Sequence, residues 1–339
     1  MLAGLLVPLA CGGGAPPHDH VEVAGSVVRD DPTAVAAVDG ALELLVSGDR
    51  AGAHAALTAA LDRHPDSYEA LLEHARLGAA LGDTAPALAT YQRLFLADPA
   101  DVPVARGLAR LALFLGRVDL AGPAADALAG PDAAAGDLAL AAEVALAAGD
   151  VELARTRAEE ATRVDPKHPD GHHQLALALL EGAALGGPDA TATDQVQVAL
   201  RKAIHQDPGR VEARHLLGTL LLQGDAEARG TRLLDSIELV RELEDPAFAA
   251  GDPAERIQRA RAIGVELPGW SRPQLEVARA QLALGQPVKA DATLAEAMAK
   301  RPRLLELYKL RYAAALARGD TKAERNWLER WTEQRSQDD

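Results

Sequence analysis

The sequence predicts an all-α fold, an α-solenoid of helical hairpins stacked side by side into an extended scaffold. Two observations carry that expectation. Gly48, Gly82 and Gly116 stand 34 residues apart, Gly149 follows after 33, and Gly319 lies 34 beyond Gly285. Other residues keep phase with these glycines: Ala53, Ala87, Ala121, Ala154 and Ala290 follow them by five, and Pro65, Pro99, Pro166 and Pro302 by seventeen. A period in this range fits one helix–turn–helix per repeat, each unit completing its core on its neighbours.

The first unit spans about 34–67. Val35, Val38, Leu42 and Leu45 give its first helix an apolar stripe, and Ser47-Gly48-Asp49 turns the chain. Ala53, Leu57, Ala60 and Leu61 line the second helix until Pro65, which has no N–H to donate, ends it. Ahead of the unit, Thr33 is a candidate helix cap. Unit two, about 68–101, is the most regular. Tyr68, Leu71, Ala75 and Ala79 lead to the Gly82 turn, and Ala87, Tyr91 and Phe95 then recur on one face. Tyr91 takes the large position between neighbouring hairpins. Unit three, about 102–134, carries Ala105, Ala109 and Leu113, and its second helix is cut short near Gly130-Pro131. Unit four, about 135–168, has Leu138, Ala142, Ala154, Ala158 and Ala161.

Unit five begins near 169 with His172, Leu175, Ala176 and Leu179, and its turn reads as expanded over 182–193. Val196, Leu200, Ala203 and Ile204 follow before Asp207-Pro208. Unit six, from about 211, carries Arg214, Leu217, Gly218 and Leu221, turns at Gly224-Asp225 and extends a long second helix to about Leu243. The pattern slips over 247–273, a degenerate repeat or linker with a short helix at about 254–265. It resumes over 274–334, first through Leu275, Ala278, Leu282, Leu294 and Ala297, then through Leu305, Tyr308, Tyr312 and Leu316. The end of an array has no next neighbour, so it needs a cap. Trp327 and Trp331, four residues apart, supply it, and 335–339 is a polar tail. Repeats thus fill 34–246 and 274–334, about seven or eight units with some degenerate.

Composition narrows the function. Fifty acidic residues against 35 basic give a net charge of −15, which speaks against nucleic acid as the main partner, since that wants a basic stripe. Hydrophobic residues make up 48% but aromatics only 3%, so much of the burial is alanine, which lets helix backbones approach closely. Cys11 is the single cysteine, which excludes an internal disulfide and a cysteine-based zinc site. No glycine-rich phosphate loop opens a helix, and no Gly-x-Ser-x-Gly is present. His168, His172 and His173 lie close together but lack the spacing of a metal set, and read as interfacial or solvent-facing. The expectation is therefore no enzyme, no cofactor and no metal.

Residues 1–10, MLAGLLVPLA, are almost wholly apolar. As a helix they would rise only about 15 Å, too short for a bilayer core of about 30 Å. Followed by Ala10-Cys11 and a glycine-rich stretch, this segment resembles a bacterial lipoprotein signal. It departs from that pattern at Pro8 and in lacking an early Lys or Arg. The resemblance implies a lipid on Cys11, a flexible tether over 11–33, and a chain on the periplasmic face of the envelope, at the outer membrane.

The repeat itself resembles the tetratricopeptide repeat: Ala75, Gly82, Ala87, Tyr91 and Pro99 fall on that family's marked positions, as does the Leu217-Gly218 pair. Units three, five and six and the stretch 247–273 depart from it. The resemblance implies a right-handed superhelix that binds a protein or peptide in a concave groove lined by first helices. Carried onto this sequence, the groove positions are Glu69, Leu72 and Arg76; His173, Leu177 and Glu181; Glu212, His215, Thr219 and Gln223; and Glu306, Lys309 and Ala313. The expected function is a protein-interaction scaffold, anchored to the membrane and acting in envelope assembly or secretion. The alternatives are a cytoplasmic adapter and a structural subunit of an oligomer.

Overall fold

The computed structural model describes residues 27–186, 190–223, 226–301 and 304–338. Cys11 and the apolar leader lie outside them. Five hairpins come first: α1 (Pro32–Ser47) with α2 (Arg50–Arg63), α3 (Tyr68–Leu81) with α4 (Thr84–Ala97), α5 (Val102–Phe114) with α6 (Val118–Leu128), α7 (Ala135–Ala147) with α8 (Val151–Val164), and α9 (Pro169–Gly186) with α10 (Ala190–Gln206). Then come α11 (Val211–Leu222) and α12 (Glu227–Glu244), the one-turn α13 (Pro246–Ala250), α14 (Pro253–Glu266), α15 (Arg272–Ala283) with α16 (Pro287–Lys300), and α17 (Leu305–Arg318) with α18 (Thr321–Asp338). No helix among the described residues is long and apolar enough to cross a membrane.

The recurring glycines make the turns. Gly48, Gly82, Gly116, Gly149, Gly285 and Gly319 all have positive φ, from 66° to 99°, where a Cβ would be strained. An aspartate after the glycine often caps the next helix: Asp49 accepts from the Gly52 N–H (2.8 Å), Asp150 from Leu153 (3.0 Å) and Asp320 from Ala323 (3.0 Å).

Curvature follows from which helices touch. Along the first five hairpins each odd-numbered helix meets the next odd one, α1 to α3, α5, α7 and α9, while no comparable contact joins the even-numbered helices. The odd helices therefore form the inner wall and the even ones the outer. The seams are small-residue seams: Ala53, Ala87, Ala121 and Ala154 are at most 3% exposed. At Gly78, α3 lies against α4 at ordinary contact distance, a Cβ there being 3.8 Å from that of Ala87. Tyr91 is the inter-hairpin wedge that the pattern predicts. It is 4% exposed and lies over Gly107, where an added Cβ would come within 2.3 Å of its ring.

The row is not extended. It curves until its last hairpin meets its first. One apolar cluster combines Val38, Leu42 and Val46 of α1 and Leu57 of α2 with Tyr312 of α17 and Trp331 of α18. Arg335 of α18 also pairs with Glu73 of α3 at 2.5 Å. Trp331 thus seals the end seam against the opposite end of the array. Trp327 is half-buried, with the Arg311 guanidinium 4.1 Å from its ring centre and Tyr308 tilted against it at 6.2 Å.

Two segment boundaries need correction. The expanded turn over 182–193 is mostly helix: α9 continues to Gly186 and α10 begins at Ala190, because an alanine-rich run favours helix despite its glycines. The tether over 11–33 ends sooner, since residues from 27 on are docked. Val28 bridges to the loop before α3 (Val28 N–H to Asp66 O, 2.8 Å; Tyr68 N–H to Val28 O, 2.9 Å), and Arg29 pairs with Asp101 (2.5 Å) while lying 3.8 Å from the Tyr68 ring centre. Within 247–273, α14 packs closely on α15, completing the apolar cluster of Val240, Leu243, Ala260, Ile263 and Val277.

Candidate functional site

The inner wall presents charge rather than an apolar groove. Its centre is a track across α5, α7, α9 and the start of α11. Arg110 and Glu143 are exposed on adjacent first helices. Desolvation pushes the Glu143 carboxyl up, while the charges of Arg210 and Arg110 pull it back. Arg210 also pairs with Asp170. Beyond it, Glu212 faces His173. Positive and negative groups therefore alternate along this track.

Arg76 stands at the edge of this surface. It donates to Glu73 at 2.6 Å and shares a cavity of about 340 Å³ with Arg110, Tyr91, Gly107 and Phe114. Phe114 is 80% exposed, an apolar contact point beside two guanidinium groups.

Other predicted groove residues are placed differently. Leu72 is 6% exposed in the core, and His173 is 7% exposed. The reason is phase: one 34- or 33-residue step at a time, Leu72 is followed by Arg106, Ala139 and His173, all buried. That position faces the neighbouring first helix, not the groove. Arg106 meets the requirement with a two-pronged pair to Asp137 (2.6 and 3.0 Å). Glu69 accepts from the Asp30 N–H (3.0 Å) and the Ser67 hydroxyl (3.1 Å), holding the N-terminal segment. Glu306 is bound by Arg279 at 2.7 Å, next to buried Glu276, which Arg256, Arg272 and Arg279 surround. Burial pushes the Lys309 ammonium down, and Ala313 is half-buried beside it on α17. Leu177 and Thr219 are half-buried, and Glu181, His215 and Gln223 are exposed. Arg110 and Glu143 were missed, although they lie 34 and then 33 residues beyond Arg76.

Burial lowers the His173 imidazole pKa from its ordinary value, with Glu212 opposing. The unfolded chain then binds that proton more readily than the folded one. The stability is complete above about pH 6.5, the unfolded value, and is lost as pH falls through the depressed folded value. Thermal melting scanned from neutral to mildly acid pH should show this fall, and His173→Gln should flatten it.

Among the described residues no group of three or more His, Cys, Asp or Glu is arranged to hold a metal. A tetratricopeptide repeat family model matches residues 44–111, from the end of the first helix into α5. No curated protein matches the sequence. Among solved structures, a tetratricopeptide repeat protein from Parabacteroides merdae is similar at 12% identity, covering 84% of this chain and 99% of that one with a TM-score of 0.49. A human IFIT1 dimer with m7Gppp-AAAA is similar at 14% identity over 89% of this chain and 71% of that one, TM-score 0.49. YrrB, a TPR protein with an unusual peptide-binding site, is similar at 15% identity over 55% of this chain and 92% of that one, TM-score 0.40. The tetratricopeptide repeat match covers the second repeat and its flanks, and the same left-handed glycine turns recur as far as Gly319, so the chain is an all-α solenoid of helical hairpins that carries a tetratricopeptide-repeat segment.

Proposed function

We propose that this chain is a protein-interaction scaffold that holds a peptide or protein segment along the inner wall, over the track from Arg110 through Glu143 and Arg210 to Glu212. The observation that carries the reading is Glu143. Its surroundings disfavour its charge, yet it is exposed on α7, one of the inner-wall helices. Such a residue contributes little to folding and is available for a partner's cation or N–H. The work assigned to the site is binding. Many weak contacts are gathered on a wall that folding has already ordered.

Glu143→Gln should leave thermal stability unchanged or slightly raised at neutral pH while weakening partner capture. A photo-crosslinking residue at position 143 should trap the partner, and the same residue at Leu96, 67% exposed on α4 of the outer wall, should not. Equal trapping at both positions would remove the inner wall as the site.

The proposal places the scaffold at the periplasmic face of the outer membrane, held by a lipid on Cys11, and in envelope assembly or secretion. What supports this is the apolar run ending in Ala10-Cys11 and the glycine-rich stretch after it. Palmitate labelling of the native chain, lost in Cys11→Ala, is the expected result. A native chain that takes no label and fractionates with the cytosol would favour the adapter reading.

A further inference from the structure

The inner wall is not the only concave surface. A cleft of about 950 Å³ has α11 as its floor, α10 and α12 as its sides, and Glu266, Leu267 and Pro268 at the end of α14 closing one end. That volume is near the top of the ~300–1,000 Å³ range usual for ligand sites. Its floor residues Arg214, Leu217 and Leu221 lie on the side of α11 opposite Glu212, His215 and Thr219, by the helical repeat of about 3.6 residues. The cleft therefore opens away from the inner wall, between two outer helices.

Its charge departs from the rest of the molecule. Arg201, Arg214, Arg229 and Arg232 converge on it with His205, against Asp235 and Glu266. Among the described residues none of the four arginines makes an ion pair. Arg201 donates to Gln197 (2.8 Å), Arg232 to the Ala228 carbonyl (3.1 Å), and Arg214 to the Pro208 carbonyl (2.5 Å) and the Ser236 hydroxyl (2.7 Å). Arg214 is only 7% exposed. Asp207 lies near enough to act on its charge but is not hydrogen-bonded to it. In a chain of net charge −15, four guanidinium groups against two carboxylates around a leucine-lined floor are a local inversion of charge.

The same gap one repeat earlier provides a control. Between α8 and α10, over α9, the cleft is about 480 Å³. There Arg155 is paired with Glu159 at 2.9 Å, and the lining holds two carboxylates, Glu159 and Asp194, for two cations, Arg155 and Lys202. The gap between outer helices is thus a property of the repeat, whereas the excess of cations and the larger volume belong to this unit.

We propose that the α10–α12 cleft is a second binding site, for an acidic segment of a partner protein whose apolar side chains alternate with carboxylates. The leucine floor takes the apolar side chains. Arg214 offers a carboxylate a charge-assisted hydrogen bond at the base, and Arg201, Arg229 and Arg232 steer and hold the others at the rim.

The test uses the full chain and a fluorescein-labelled amphipathic peptide of glutamate and leucine, read by fluorescence anisotropy. Arg229 and Arg232 are exposed, so the R229E/R232E variant keeps its fold, which circular dichroism checks. The native chain is expected to bind the peptide in a salt-sensitive way, the double variant about tenfold or more weakly, and R155E at the control gap unchanged. A peptide with glutamine in place of glutamate should bind as weakly as the double variant does. Unchanged affinity in R229E/R232E, an equal loss in R155E, or no binding to the native chain would each overturn the proposal. Phosphatidylglycerol vesicles bound by the native chain in place of the peptide, and released by R229E/R232E, would reassign the cleft to an anionic lipid and overturn it too.

Discussion

Trp331→Ala is expected to open the array. The indole is 4% exposed and fills the cluster where α18 meets Val38, Leu42 and Val46. Its removal leaves a cavity at a junction made only by the two ends of the chain. Truncation of a buried tryptophan costs about 3–5 kcal/mol, and here that loss falls on the interface between the first and last hairpins rather than on the whole solenoid. The Arg335–Glu73 pair, one turn along α18, would be released with it. Denaturant unfolding should therefore show an early transition for the terminal hairpins. X-ray scattering should show a larger radius of gyration before the main unfolding. Phe114→Ala, at a site 80% exposed, should change stability by no more than about 0.5 kcal/mol. Identical scattering and a single unchanged transition in Trp331→Ala would mean that the ends do not hold each other.

Gly230→Val carries the second large effect, and its cause is backbone rather than side chain. A Cβ on Gly230 would lie 2.8 Å from the Gly218 carbonyl oxygen and 3.1 Å from the Leu222 nitrogen. Neither atom can move without shifting α11. Overpacking of this kind costs typically about 1–3 kcal/mol, and the branched side chain places the expected loss at or above the upper end. The same substitution at Gly122, where nothing lies within 4 Å of an added Cβ, should cost only what helix propensity dictates, and valine is somewhat better than glycine there. A similar loss in melting temperature at both sites would show that α11 and α12 are not in close backbone contact.

Gly230 also shows how the sequence can be read one step too rigidly. The phase of the other units places an alanine five residues after the turn glycine, which in unit six falls on Arg229. The small residue that meets Gly218 is Gly230 instead, the counterpart of Ala87 against Gly78. Local signals were legible because they are local. A positive φ demands glycine wherever the turn recurs, and a wedge such as Tyr91 needs a small residue opposite. Residues in the phase of Arg76, such as Arg110 and Glu143, are exposed on first helices, but the phase of Leu72 and His173 is consumed by contact between first helices. Closure of the row was not legible at all. Trp331 and Val38 carry no shared period, and nothing in either segment alone says that the other lies across the seam.

The measurement that bears most directly on closure is a distance between spin labels at Glu43 and Arg325, introduced as cysteines in a Cys11→Ala chain. Both positions are exposed. Glu43 of α1 lies close enough to act on the Tyr312 hydroxyl of α17, and Arg325 follows Glu324, which accepts from that hydroxyl. Joined ends predict a single narrow distribution at short distance that broadens and lengthens when Trp331→Ala is added. A broad, long distribution in the unaltered background would contradict closure and return the array to an open superhelix.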